Sequence, residues 1–322
     1  MSATGEGIST DNATDATRVR AVGVDAARRG GWTPDIEARM AALETPVREL
    51  LGPDIESLAA ADRITLVPDA HYPFHPSTGT VTDPAVVGSL VAHLERETDA
   101  DIAVAGASDD RIAFGRTAAY LGYASLLEQF DADLVDLANG SRTEHVDTVD
   151  GRPTALSVPD RLAESAVVVV PSLRPTEAGP VAGAMRTLAG VVDRDGDPDR
   201  TPVAVTRAVS PDLAVLDATT AYDGDPVSAN ALFAGFAPAV DAVATSLLGR
   251  SPEADAALET TRGPEAEPVT VAGDVDFDRL RARIGDGDLP PADETHPAVS
   301  AAYRVYAAVA GDAVPPQLEG NR

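Results

Sequence analysis

The chain of 322 residues has a net charge of -27 at pH 7, from 25 basic residues against 52 acidic ones, and every basic residue is an arginine. That balance leaves no basic stripe to neutralise phosphates and argues against a nucleic-acid role, while a Debye length of about 3 Å at molar salt would screen its self-repulsion. The absence of cysteine excludes disulfides, thiolate zinc sites and cysteine-ligated iron-sulfur clusters on this chain.

Residues 1–16 are polar and without periodicity. They are read as a disordered leader that has neither the basic nor the apolar part of a signal peptide. Arg18 to Val24 alternates as a strand. Thr33-Pro34 opens a helix with Ile36, Met40, Leu43, Val47 and Leu50 on one stripe, closed at Gly52-Pro53. Arg63 to Pro68 reads as a buried strand, and the loop Asp69 to Pro84 then carries two histidines and three prolines before Thr82 or Asp83 caps a helix through Leu94. Asp101 to Ala107 is a strand whose Gly106 leaves room for a close backbone approach. Two short helices separated near Gly122 and a strand over Asp133 to Leu137 follow. Glu144 to Val149 and Thr154 to Val158 form a hairpin around Asp150-Gly151.

Val167 to Val170 reads as the central strand, buried on both faces as in a parallel sheet. It ends at Pro171, and a polar turn with Ser172, Arg174 and Thr176 leads to a helix from Gly179-Pro180 to about Val192. Val203 to Val205 has strand character, as does Leu213 to Leu216, which ends at Asp217. Helices are expected over Pro238 to Leu248, Pro252 to Thr260, Phe277 to Ile284 and Ala298 to Ala310, with a short strand at Val269 to Val271.

Strands alternating with helices predict an α/β fold: a mostly parallel or mixed central sheet flanked by helices in three layers, with short antiparallel additions. Residues 17–311 are expected to form a single α/β domain, with two lobes as the other arrangement, before a polar tail over 312–322. No apolar run approaches the roughly 20 residues of a membrane span. Scattered carboxylates and arginine in place of lysine mark a halophilic composition, so a cytoplasmic protein in a salt-rich cell is expected.

In open α/β sheets ligands lie beyond the carboxyl ends of the strands. Ser172, Arg174 and Thr176 stand at such an end, with Arg186 in the helix beyond. A guanidinium there either binds a carboxylate or phosphate in bidentate fashion or makes a structural ion pair. Asp69, His71 and His75 are the second candidate group. They could ligate a divalent metal, His71 or Asp69 could move a proton, or the histidines could simply bond to backbone. Pro73 and Pro76 exclude a helical His-x-x-x-His metal site. Asp217, Asp225 and Asp241 stand near the same rim, and Asp241, inside an apolar helix, has the alternative role of a buried acceptor orienting a loop. The series Asp193, Asp195, Asp197, Asp199 misses calcium-loop spacing, because Gly196 falls at the fourth position and Ala204 stands where a glutamate belongs.

Several blocks together carry a resemblance: LVPDA at Leu66 to Ala70, VVVVPSLRPT at Val167 to Thr176, AMRTLAGVV at Ala184 to Val192, PDLAVLDATTAYDGDP at Pro211 to Pro226 and GFAPAVDAVATSLLG at Gly235 to Gly249. From about Arg18 to Asp274 the chain resembles the domain of unknown function 362 family. That family's patterns are Lys-Pro-Asn, Pro-Lys-x-Lys-Thr-His, Lys-Asn-x-x-Gly, an aspartate followed by a Gly-x-Pro turn, and Asp-Pro-x-x-x-Asp. They are matched at Pro68, Pro171, Gly190, Asp217, Gly224, Pro226, Pro238 and Asp241. The departures are polar: Val67 and Asp69 for the first lysine and the asparagine, Ser172 and Arg174 for the paired lysines, Arg186 and Thr187 for Lys-Asn, Ala237 for the first aspartate. The resemblance implies a family pocket whose chemistry has been altered or lost here.

Two functional readings follow. One is an enzyme acting on a small anionic molecule, with His71 or Asp69 handling a proton or a metal and Ser172, Arg174, Thr176, Arg186, Asp217 and Asp241 around the substrate. The other is a non-catalytic ligand-binding or regulatory member with a degenerate pocket. The first requires the His71 loop to fold over Arg174. No nucleic-acid or membrane partner is expected, and nothing in the residues sets an oligomeric state.

Overall fold

The computed structural model describes residues 17–25, 36–72, 74, 76–110, 112–263, 266–285 and 289–290. The leader over 1–16, the Thr33-Pro34 helix opening, His75, the helix over 298–310 and the tail over 312–322 lie outside the described residues.

β1 (Arg18–Gly23) precedes α1 (Ile36–Leu51), whose buried Leu43, Val47 and Leu50 form the stripe that helical spacing requires, and the short α2 (Ile55–Ala59). β2 (Arg63–Pro68), α3 (Pro84–Glu97) and β3 (Asp101–Gly106) make a βαβ unit. Asp83 caps α3, its carboxylate accepting from the Ala85 N–H at 2.9 Å. α4 (Phe114–Leu121) and α5 (Tyr123–Leu127) meet at the left-handed Gly122. β4 (Ala132–Asp136) follows, and β5 (Arg142–Val149) and β6 (Arg152–Pro159) form the hairpin. After α6 (Asp160–Ala163) come β7 (Ala166–Val170), α7 (Gly183–Val192), α8 (Thr201–Val209) and β8 (Leu213–Ala218). β9 (Ala221–Tyr222) and β10 (Pro226–Val227) make a small ribbon, and β11 (Ala231–Gly235) leads into α9 (Ala237–Leu247). α10 (Ala256–Arg262), β12 (Thr270–Gly273) and α11 (Phe277–Arg283) complete the order.

Eight of these strands form one sheet in the order β12-β1-β11-β8-β7-β2-β3-β4. Neighbours are parallel except on the two sides of β11, which runs against the rest. The fold is therefore α/β with a mixed, mostly parallel sheet and small antiparallel additions. Strand alternation explains the four valines of β7. Val167 and Val169 enter the core layer that holds Met185, Leu188 and Val203, while Val168 and Val170 enter the layer that holds Leu43, Val86 and Leu90. Burial of each valine on a covered face contributes about 1.5–3 kcal/mol.

The order of connections positions the site. From β2 the chain crosses through α3 to β3 on one side, and from β7 through α7 and α8 to β8 on the other. Right-handed crossovers leaving in opposite directions put α3 and α7 on opposite faces, which opens a crevice between the carboxyl ends of β2 and β7.

Three local expectations are corrected. Val203 to Val205 lies in helix α8, because Pro202 suits its first turn and packing on both flanks outweighs β-branched propensity. The helix expected from Gly179-Pro180 begins at Gly183, whose φ of 57° only glycine adopts freely. A Cβ at Gly106 would lie 2.3 Å from the Phe114 ring, so an aromatic ring, not backbone, makes the close approach there. Among the described residues no helix is long and apolar enough to cross a membrane.

Candidate functional site

β2 and β7 end side by side, Pro68 pairing with Val170. The Asp69 N–H continues the ladder for one step, donating to Val170 O at 3.0 Å and to Thr82 Oγ1 at 2.9 Å. The Thr82 hydroxyl donates in turn to Val170 O, and the Thr82 N–H donates to Asp69 O at 2.9 Å. Thr82 thus staples both ends of the loop after β2, while Phe74, only 1% exposed, anchors its middle.

This frame aims the Asp69 carboxylate at the turn after β7. Ser172 Oγ donates to Asp69 Oδ2 at 2.8 Å, and Arg174 donates from Nε to Oδ2 at 2.9 Å and from Nη2 to Oδ1 at 3.4 Å. His71 Nδ1 stands 2.7 Å from Oδ1. Burial alone would raise the Asp69 pKa, but the charges of Arg174 and His71 and their hydrogen bonds hold this carboxyl well below the usual range. An ionised carboxylate only accepts, so the short contact places a proton on His71 Nδ1 and makes Nε2 the acceptor of the neutral ring. Arg174 Nη2, 3.3 Å from Nδ1, then touches the ring without bonding to it. The His71 loop does fold over Arg174.

Above the cluster lies a cleft of about 810 Å³, bordered by the loops after β2, β3 and β7 and by α7. Arg174, Arg186 and Arg194 all border it, and each is ion-paired. Arg186 holds Asp255 in a bidentate bridge, Nη1 to Oδ2 at 2.7 Å and Nη2 to Oδ1 at 2.8 Å, and donates from Nε to Ala178 O at 3.0 Å. Arg194 pairs with Asp109, which joins the segment after α7 to the loop after β3. Arg174 keeps one open edge: among the described residues its Nη1 has no hydrogen-bond partner. Thr176 also borders the cleft, its Oγ1 accepting from the Ala178 N–H at 3.4 Å.

Two of the other rim aspartates, Asp217 and Asp241, are buried and turned away from the cleft lining. Asp217, 2% exposed, accepts from the Asp83 N–H at 2.8 Å and from the Thr219 N–H and hydroxyl at 2.9 and 2.7 Å. Burial pushes its pKa up to about 6. Asp241 accepts from the first N–H groups of α7, those of Ala184 and Met185, and burial pushes its pKa up to about 7. Its carboxylate fills the space where a Cβ of residue 183 would sit, which fixes the start of α7 at a glycine. Asp225 is exposed. Ser172 is 1% exposed and its hydroxyl is committed to Asp69, so it is not presented as a nucleophile.

Of the expected metal set Asp69, His71 and His75, the last lies outside the described residues. Both Asp69 oxygens already accept from the Arg174 guanidinium or the Ser172 hydroxyl. Among the described residues no three His, Asp or Glu side chains are grouped to hold one.

Ser108, Asp109 and Arg194, which lie outside the sequence motifs, also border the cleft. Asp109 and Ser108 follow the carboxyl end of β3 and were findable by the strand-end rule. Arg194 had no such signal, lying in an acidic turn. Thr187 borders the cleft with a buried Oγ1 that has no partner among the described residues.

A parallel-sheet core with a polar cleft at the point where strand connections reverse defines an α/β protein of the strand-end-site type. The chain belongs to the family described as Domain of unknown function (DUF362), whose model matches residues 64–246. That span runs from β2 to the end of α9 and includes Asp69, His71, Arg174, Asp217 and Asp241. No curated protein and no solved structure matches the chain.

Proposed function

We propose that this chain binds a small carboxylate- or phosphate-bearing molecule in the cleft and acts on it by proton transfer through His71. The observation that carries the reading is the Asp69–His71–Arg174 cluster at the mouth of two adjacent parallel strands. Asp69 fixes the tautomer of His71, so that Nε2 is the group able to take or give a proton, and Nη1 of Arg174 offers two N–H donors to an anionic group. The three cleft arginines are neutralised by carboxylates, so Arg174 would bind through directed hydrogen bonds more than through bare charge. The lysine-free acidic composition supports a salt-rich cytoplasm as the setting of this activity.

Melting curves in molar potassium chloride with a panel of carboxylates and sugar phosphates test the binding half. A member that raises Tm for the wild type should fail to do so for Arg174→Gln. His71→Gln should keep the Tm shift and lose turnover by about 10²–10⁴-fold, the usual contribution of a positioned acid–base group. If no panel member shifts Tm, the anion reading is wrong.

The second reading is a binding protein without catalysis. It is favoured by the burial of Ser172 and by the commitment of Arg174 to Asp69, which together also suit a strut between β2 and β7. Ligand-induced Tm shifts with no conversion of the ligand would select it.

A further inference from the structure

Asp217 lies on β8, one strand beyond β7 from Asp69, and is tied to both halves of the cluster. Through its backbone it holds the turn that carries Ser172 and Arg174: its N–H donates to Pro171 O at 2.8 Å, and its carbonyl accepts from the Leu173 N–H at 3.1 Å. Through its carboxylate it holds the end of the loop that carries Asp69 and His71, at the Asp83 N–H. The next residue back along the chain is Thr82, whose hydroxyl and N–H clamp Asp69. The Thr82 carbonyl is held in turn by the hydroxyl of fully buried Tyr123, at 2.7 Å.

The charged groups around this link are few. The Asp83 carboxylate caps α3 and pairs with Arg39 of α1, so it competes little for its own backbone N–H. Asp217 is therefore the sole side-chain acceptor that fixes the Asp83 N–H among the described residues.

We infer that Asp217 is a positioning residue for the proposed acid–base pair: acting through Asp83 and Thr82, it holds Asp69 where it keeps His71 in the Nδ1–H tautomer. This rests on the proposed role of His71, but the contact it concerns exists without any ligand. Replacing Asp217 by asparagine leaves size unchanged and can set an N–H₂ group against the Asp83 N–H, donor against donor. The Thr82 clamp then loosens, Asp69 shifts, and the His71 ring loses the acceptor that selects its tautomer.

The test is ¹⁵N NMR of the histidine rings of the full chain in molar potassium chloride, well above the ordinary histidine pKa of about 6.5. His71→Gln identifies the His71 signals. In the wild type, Nδ1 should resonate as a protonated nitrogen and Nε2 as a bare one. In Asp217→Asn, the two signals should move toward each other as the tautomers mix. Thr82→Val removes the clamp one step downstream and should produce the same change, and the double variant should go no further than either single one. An Asp217→Asn protein that melts earlier but keeps the wild-type ring signals would overturn the inference, leaving Asp217 a purely structural group. If Asp217→Asn does not fold, Thr82→Val decides alone: unchanged ring signals reject the link, mixed ones support it. Failure of the ligand panel would remove the proposed function while leaving this coupling to stand or fall on the NMR result.

Discussion

Asp69 and Asp241 are both buried carboxylates, 3% and 1% exposed, yet their pKa values are pushed in opposite directions. Asp69 faces Arg174 and His71 at the floor of a cleft, and the guanidinium charge with the hydrogen bonds from both side chains outweighs the cost of burial. Asp241 faces the N-terminal N–H groups of α7, and burial outweighs what those two bonds return. Partial charges at a helix start satisfy hydrogen bonds without neutralising an ion, whereas a guanidinium does both. A polar group in the core is thus no sign of chemistry in itself. The sign is a charged partner and an open side.

Removing one partner of the cleft cluster should give the largest effect. Asp69→Ala strands the mostly buried Arg174 without its carboxylate and should lower stability by about 3–5 kcal/mol, read as a shift of the denaturation midpoint in molar salt. A loss below about 1 kcal/mol would mean that Arg174 relaxes into solvent and that the cluster is not a fixed site.

The two carboxylates should also give opposite pH slopes. The folded pKa of Asp69 lies below its unfolded value, so its contribution is present above about pH 4 and is lost as pH falls below that. Asp241 has a folded pKa of about 7, above its unfolded value, so the folded state holds the extra proton. Between about pH 4 and 7 its contribution to stability therefore falls as pH rises. Asp69→Asn should flatten the acid limb of a stability profile, and Asp241→Asn the limb between pH 4 and 7. Interchanged effects would mean that Asp241, not Asp69, is the carboxylate held ionised.

The smallest effect is expected at a third buried group. His93 on α3 is 4% exposed, neither ring nitrogen has a partner among the described residues, and burial lowers its pKa. His93→Leu should raise stability by about 1 kcal/mol at neutral pH, since it removes unsatisfied polar atoms from a packed helix face. The gain should grow as pH falls through about 6.5, where the unfolded wild type takes up a proton that its folded state resists. A destabilised His93→Leu protein at neutral pH would show that this histidine has a bonding role.

Much of this was legible in local pattern. Runs such as Ile64 to Val67 and Val167 to Val170 can be buried on both sides only in a covered sheet, and the stripe Leu43, Val47, Leu50 has one helical face to hide. Val203 to Val205 misled because β-branched residues state a preference that neighbouring helices can overrule. Arg186 and Arg174 were equivalent as residue types. Only their partners separated them, Asp255 saturating the one and Asp69 leaving the other an open edge.

By itself the sequence determined where most strands and helices run and that polar residues stand at strand ends, because hydrophobic periodicity and turn chemistry act over a few residues. The tertiary structure decided which of those polar residues meet. Asp69 and Arg174 are 105 positions apart and touch because β7 inserts beside β2. Charge state is a property of such neighbours, so Asp69 became an ionised anchor, and Asp217 and Asp241 became buried braces, only once the strand order was set.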